Sequence, residues 1–180
     1  KYALLHVFNQ DVSKYEYNKI TQSLVDNKIA VIVAHFGPMG ATLIEPAKQA
    51  GVPMIVVFHG YDAWNLGQLE EWKERYNELF QQAAAVVGVS RDICAQLGKL
   101  GCSAEKIHYL PAFVDPAYFN EQNLPSKTPV FLSVGRFSRT KSPHLTILAF
   151  NEVLKTLPNA QLVLIGKDDG EGLFEACVIL

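Results

Sequence analysis

The chain has 180 residues, 49% of them hydrophobic and 19% charged, with a formal net charge of −2. That apolar fraction builds a core and excludes a disordered chain, and the lack of a basic excess argues against a dedicated nucleic-acid binder. No apolar run approaches the roughly 20 residues of a membrane-spanning helix.

Short apolar runs alternate with helical patterns along the chain. Strands are expected at 29–34, 52–58, 84–89, 106–110, 130–134 and 161–165. The runs are continuous rather than alternating, the mark of strands buried on both faces. Amphipathic helices are expected over 13–26, 39–50, 67–82, 91–100 and 143–157. Ser90 reads as an N-cap and Gly101 as the residue after a C-cap. Ser142 reads as the N-cap of the last helix, with Pro143 at the favoured first position. Strand–helix–strand units of this spacing predict an α/β protein with doubly wound parallel sheets.

The stretch from Pro111 to Pro129 breaks the rhythm with four prolines among Asn, Ser and Gln. It predicts a first domain over 1–112, a linker over 113–127 and the start of a second domain over 128–180. The chain opens without Met and without the layout of a signal peptide. It closes on the apolar Cys177-Val178-Ile179-Leu180 with no stop signal. It therefore reads as a piece cut at both ends, with both sheets incomplete. Cys94, Cys102 and Cys177 are odd in number and far apart, so neither a disulfide framework nor a structural zinc site is indicated. The expectation is a reducing compartment, the cytoplasm, with peripheral contact at the inner membrane left open.

Ligands of open α/β sheets bind beyond the carboxyl ends of the strands. The residues there are His35, Phe36 and Gly37; His59, Gly60, Tyr61 and Asp62; Ser90 and Arg91; Gly135 and Arg136; Gly166 and Lys167. Two strands end in His, each either a ligand-facing ring or a local hydrogen-bonding group. His59-Gly60-Tyr61-Asp62 can present a ring to a cleft, with Asp62 orienting it or binding a sugar hydroxyl. It can equally be a turn with an Asp cap. In Val134-Gly-Arg-Phe-Ser-Arg-Thr-Lys-Ser-Pro143, Gly135 permits close backbone approach, and Arg136 and Lys141 sit beside a helix start. Together these make a pyrophosphate clamp or, failing that, a solvated basic loop. Neither G-x-x-x-x-G-K-[ST] nor G-x-G-x-x-G occurs. Trp64 and Trp72, two helical turns apart, read as packing residues. Leu148, Phe150, Val153, Leu154 and Leu157 read as the buried face of one helix. Glu70, Glu71, Lys73, Glu74 and Arg75 read as a solvated helix face.

Taken in order, His35-Phe-Gly-Pro-Met-Gly40, Pro53–Asp62, Val87-Gly-Val-Ser90, Leu100–Ile107, Leu110–Asp115, Phe119, Leu132–Phe137, Lys141, Ala149-Phe150 and Leu162–Gly166 resemble family 4 glycosyltransferases. The bacterial exopolysaccharide and colanic-acid type is the nearest in flavour. The resemblance implies the GT-B architecture, two Rossmann-like domains facing across a cleft, the first taking the acceptor and the second a nucleotide sugar. It implies a retaining hexosyltransferase that moves a hexose from a UDP- or GDP-sugar to a polysaccharide or lipid-linked acceptor. His59 would be the catalytic-site histidine. Gly135, Arg136 and Lys141 would bind the donor diphosphate, and Gly60, Asp62 and Ser90 would line the sugar or acceptor pocket. No metal and no cofactor are implied, since Arg136 and Lys141 neutralise the leaving diphosphate. Nucleic acid is not an expected partner. Two departures stand out. Phe113 replaces a common Gly, and the family's paired-Glu motif would lie beyond Leu180. A nucleotide-sugar epimerase of the same fold and a non-catalytic binding module are the alternatives.

Overall fold

The computed structural model describes residues 14–118 and 128–179. Ser13, Phe119, Leu180 and the linker stretch 119–127 lie outside the described residues. The chain divides into two compact units, Lys1–Asp115 and Pro116–Leu180.

The first unit carries four strands, β1 (Ile32–His35), β2 (Met54–Phe58), β3 (Ala85–Gly88) and β4 (Ile107–Tyr109). They form one sheet in the order β1-β2-β3-β4, every pair parallel. Helices α1 (Lys14–Asp26), α2 (Gly37–Thr42), α3 (Ile44–Ala50), α4 (Tyr61–Trp64), α5 (Leu66–Gln82) and α6 (Arg91–Lys99) connect and cover it. In β2, Met54, Val56 and Phe58 are buried and Ile55 and Val57 half-buried. Phe58 packs edge-on against Tyr76, ring centroids 5.5 Å apart, and near Phe80 at 6.1 Å. With Leu79, Leu97, Ile44 and Val86 these residues make the core. Burying side chains of this size stabilises by roughly 1.5–3 kcal/mol each.

Helix limits follow local chemistry. The Ser90 hydroxyl accepts the Ile93 N–H at 3.1 Å, the expected cap of α6. At its other end Gly101, φ 97°, sends its N–H to the Gly98 carbonyl, and Cys102 N–H reaches the Leu97 carbonyl, a Schellman closure. The helix expected over 39–50 is instead two helices broken at Leu43. The reason is Pro46. It has no N–H to give to the Thr42 carbonyl, and its ring would crowd that carbonyl in a continuous helix. Trp64 and Trp72 do not share a helix, because the chain leaves α4 and restarts at Asn65, whose side chain accepts the Gln68 N–H. Trp72 is buried as expected, but Trp64 is exposed. Arg75 is likewise not solvated. Its guanidinium donates to the Ala41 carbonyl near the end of α2.

The second unit has β5 (Val130–Val134) paired in parallel with β6 (Gln161–Ile165), with α7 (Pro143–Leu154) between them and α8 (Leu173–Ile179) after. The strand limits are those read from the apolar runs. The expected two-sided burial is not found here. Val130, Leu132 and Val134 of β5 and Ile165 of β6 are more than half exposed. On α7, Phe150 meets Phe131 edge-on at 5.6 Å, but Leu148 and Leu157 are exposed, and the helix stops at Leu154. Two strands offer a narrow surface, which covers only part of the expected apolar face. Ser142 is not a side-chain cap. It sits in the left-handed region at φ 46°, and its hydroxyl donates to the Arg139 carbonyl at 2.6 Å.

Candidate functional site

The first site is built where β1 and β2 end side by side. Pairing in register sets His35 opposite Val57, so the β1 exit and the β2 exit are neighbours. Asp62, 1% exposed at the start of α4, ties them together. One carboxylate oxygen accepts the His59 and Gly60 N–H groups, both at 2.9 Å. The other accepts the Gly37 N–H at 2.9 Å. Tyr76 in turn donates its hydroxyl to the Asp62 carbonyl at 3.1 Å. Burial and the nearby Asp62 and Glu71 carboxylates push the Tyr76 phenol well above its ordinary value, so it stays a donor. Gly60 turns the chain at φ 119°, a conformation that side-chain-bearing residues rarely adopt.

Of the roles open to Asp62 in the sequence, the one seen here is that of an Asp capping the His59–Gly60 turn. Its carboxylate lies under the surface and is spent on three backbone donors. It positions His59 through the main chain rather than through the imidazole. The His59 ring is exposed and meets His35, with Nδ1 of His35 and Nε2 of His59 2.8 Å apart. The Phe36 ring lies 4.6 Å from that of His59. Partial burial and the neighbouring His35 hold the His59 pKa below the ordinary histidine value, opposed by Asp62.

Beside this turn lies a cleft of about 390 Å³ lined by Gly60, Trp64, Ser90, Asp92, Gln96 and Lys99 among others. Gly60 and Ser90, both picked as strand-end residues, line it together. Trp64 also lines it, although its spacing from Trp72 reads as packing. The Gln96 amide donates to the Ala63 carbonyl at 3.2 Å, which fixes that wall.

The second site lies at the end of β5 in the second unit. Strand pairing continues past Val134, since Gly135 N–H donates to the Ile165 carbonyl and Phe137 N–H to that of Lys167. Gly166 lies flat against this bend. A Cβ there would sit 1.7 Å from the Gly135 carbonyl oxygen. The Lys141 stem runs beside Gly135, 3.6 Å from where its Cβ would be. So the Lys141 stem is brought beside Gly135, with Arg136 next in the chain. Three acidic residues beside them were not anticipated. Arg136, its side chain 64% exposed, has Asp169 at 4.0 Å, an ion pair of small worth at that exposure. Glu171 accepts the Arg139 N–H at 2.8 Å, and Asp168 accepts the Gly170 N–H at 3.2 Å. Ser138 Oγ and His144 Nδ1 are buried without a hydrogen-bond partner among the described residues.

No described helix is long and apolar enough to cross a membrane. Residues 10–118 match the family described as Glycosyltransferase Family 4, and residues 114–177 match Glycosyl transferases group 1. Over 130 residues, 68% of this chain, there is 30% identity to a protein of Escherichia coli (strain K12) provisionally named colanic acid biosynthesis glycosyltransferase WcaL, of which the match covers 31%. The chain spans under a third of the curated relatives it matches. Among solved structures, a glycosyltransferase from Rickettsia africae ESF-5 superposes with a TM-score of 0.56 at 15% identity, over 97% of this chain and 57% of that one. A provisionally named UDP-N-acetylglucosamine 2-epimerase from Listeria monocytogenes gives 0.56 at 12%, over 91% and 46%. Those two likenesses carry the fold, that of GT-B glycosyltransferases and epimerases. The family comes from the sequence match, which takes in the Asp62 staple and the paired histidines and covers more than half the residues: the chain belongs to Glycosyltransferase Family 4.

Proposed function

We propose that the protein is a retaining hexosyltransferase that moves a hexose from a UDP- or GDP-sugar to a polysaccharide or lipid-linked acceptor. The observation that carries this reading is the succession of the two family matches along one chain, the second taking in Gly135, Arg136 and Lys141. In the second unit, Arg136 and Lys141 hold the donor diphosphate, Arg by a two-pronged contact and Lys as a point charge. Charge develops on that diphosphate as the glycosidic bond breaks, and two fixed cations stabilise it, so no metal is assigned to this step. In the first unit, His59 meets the transferred sugar, and the cleft lined by Gly60, Trp64 and Ser90 takes the sugar or acceptor.

The free thiols of Cys94, Cys102 and Cys177 support a reducing compartment, and a cytoplasmic enzyme with peripheral contact at the inner membrane is part of this proposal. Release of nucleoside diphosphate from UDP-glucose, UDP-galactose and GDP-mannose, followed with the full-length protein and acceptor-bearing membranes, tests the reading. Turnover of one donor that falls at least a hundredfold in Lys141→Ala supports it. Turnover of none overturns it.

A further inference from the structure

Three features fix the two imidazoles in place. The Asp62 carboxylate clamps the backbone after β1 and the backbone after β2 onto one side chain. Phe36, directly after β1, sits at φ 73°, ψ 138°, a region that non-glycine residues rarely adopt and that clusters at working sites. That backbone carries the Phe36 ring against one side of His59, while His35 stacks at 5.1 Å with the planes 28° apart. Nδ1 of His35 and Nε2 of His59 are then 2.8 Å apart, so one of them donates and the other accepts. Whichever carries the proton, Nε2 of His59 is occupied. Its Nδ1 is the nitrogen left over.

We propose that His35 is a positioning residue that occupies Nε2 of His59, so that His59 meets the sugar through Nδ1. The role rests on the reading of His59 as the sugar-facing histidine. Among the described residues, His35 from β1 and Asp62 from α4 are the titratable groups acting on His59. His35 resists a second proton on the pair and Asp62 favours one. Removing His35 therefore lets the His59 pKa rise.

The test uses the full-length protein. Histidine side-chain NMR follows His59 through a pH titration in the parent and in His35→Ala. Turnover of UDP-glucose, UDP-galactose and GDP-mannose is measured in His35→Ala, His59→Asn and His59→Gln. An Asn amide reaches the place of Nδ1, and a Gln amide that of Nε2. In His35→Ala the His59 titration moves to higher pH, thermal stability holds, and kcat falls about ten- to a hundredfold, the scale of a misplaced reacting group. His59→Asn keeps at least tenfold more activity than His59→Gln. An unmoved His59 titration in His35→Ala, or a His59→Gln variant at least as active as His59→Asn, overturns the proposal. A titration that moves while all three variants keep full turnover confirms the contact. It refutes the reading of His59, and the positioning role falls with it.

Discussion

Replacing Asp62 with alanine removes the carboxylate that ties the backbone at the exits of β1 and β2. Its carboxylate accepts three backbone N–H groups at 2.9 Å, and the residue is 1% exposed. A hydrogen bond to a charged group contributes about 1.5–3 kcal/mol, and a buried donor left unpaired costs about 1–3 kcal/mol. Three bonds on one carboxylate do not add fully, and water reaches part of the His59–Gly60 turn. A loss of about 3–5 kcal/mol is therefore expected for Asp62→Ala. That is a large share of a domain's usual margin of about 5–15 kcal/mol. Asp62→Asn keeps an oxygen for His59 and Gly60 but turns an NH₂ toward the Gly37 N–H, and is expected to cost about 1–3 kcal/mol. Both tryptophans of the chain lie in the first unit, so their fluorescence in urea reports that unit alone. The midpoint should fall in the order parent, Asn, Ala at constant m-value. An Asp62→Ala variant within about 0.5 kcal/mol of the parent, the range of ordinary surface changes, would refute the staple.

Tyr76→Phe deletes the donor to the Asp62 carbonyl while keeping the ring against Phe58, and the same fluorescence assay should show a loss of about 1–2 kcal/mol. The lowered pKa of His59 fixes the sign of one pH effect. Below pH 6.5 the unfolded chain binds the proton more readily than the fold does, so stability should fall as the pH drops below 6.5, and His59→Gln should flatten that slope. Gly166→Ala places a Cβ 1.7 Å from the Gly135 carbonyl oxygen, a backbone atom that cannot swing aside. It should open the β5–β6 junction, read as faster amide exchange at Gly135 and Phe137, while tryptophan fluorescence of the first unit stays unchanged.

Features set by neighbours in sequence were legible. The limits of β5 and β6, the Ser90 cap and the Gly101 closure came from runs and turn chemistry confined to a few residues. So did the candidate histidines, because a strand end is visible as the point where an apolar run meets His-Phe-Gly or His-Gly. What joins residues 24 or 25 apart was not legible. Nothing local tells that Asp62 reaches back to Gly37, or that the ring of His35 meets that of His59. The split of the 39–50 helix was within reach, since Pro46 forbids the hydrogen bond to Thr42, and the apolar period masked it. Trp64 was misread for a related reason. Its spacing from Trp72 suits one helix, but Asn65 caps a new helix between them.

In the proposed function the second unit grips the diphosphate of a sugar donor through Arg136 and Lys141. The most direct measurement is the thermal stability of the full-length protein across UDP, GDP and their sugars, repeated with Arg136→Ala combined with Lys141→Ala. The expected result is a rise in melting temperature for one nucleotide series that grows with ligand concentration and disappears in the double variant. No rise with any nucleotide, or a rise that survives loss of both cations, would contradict it.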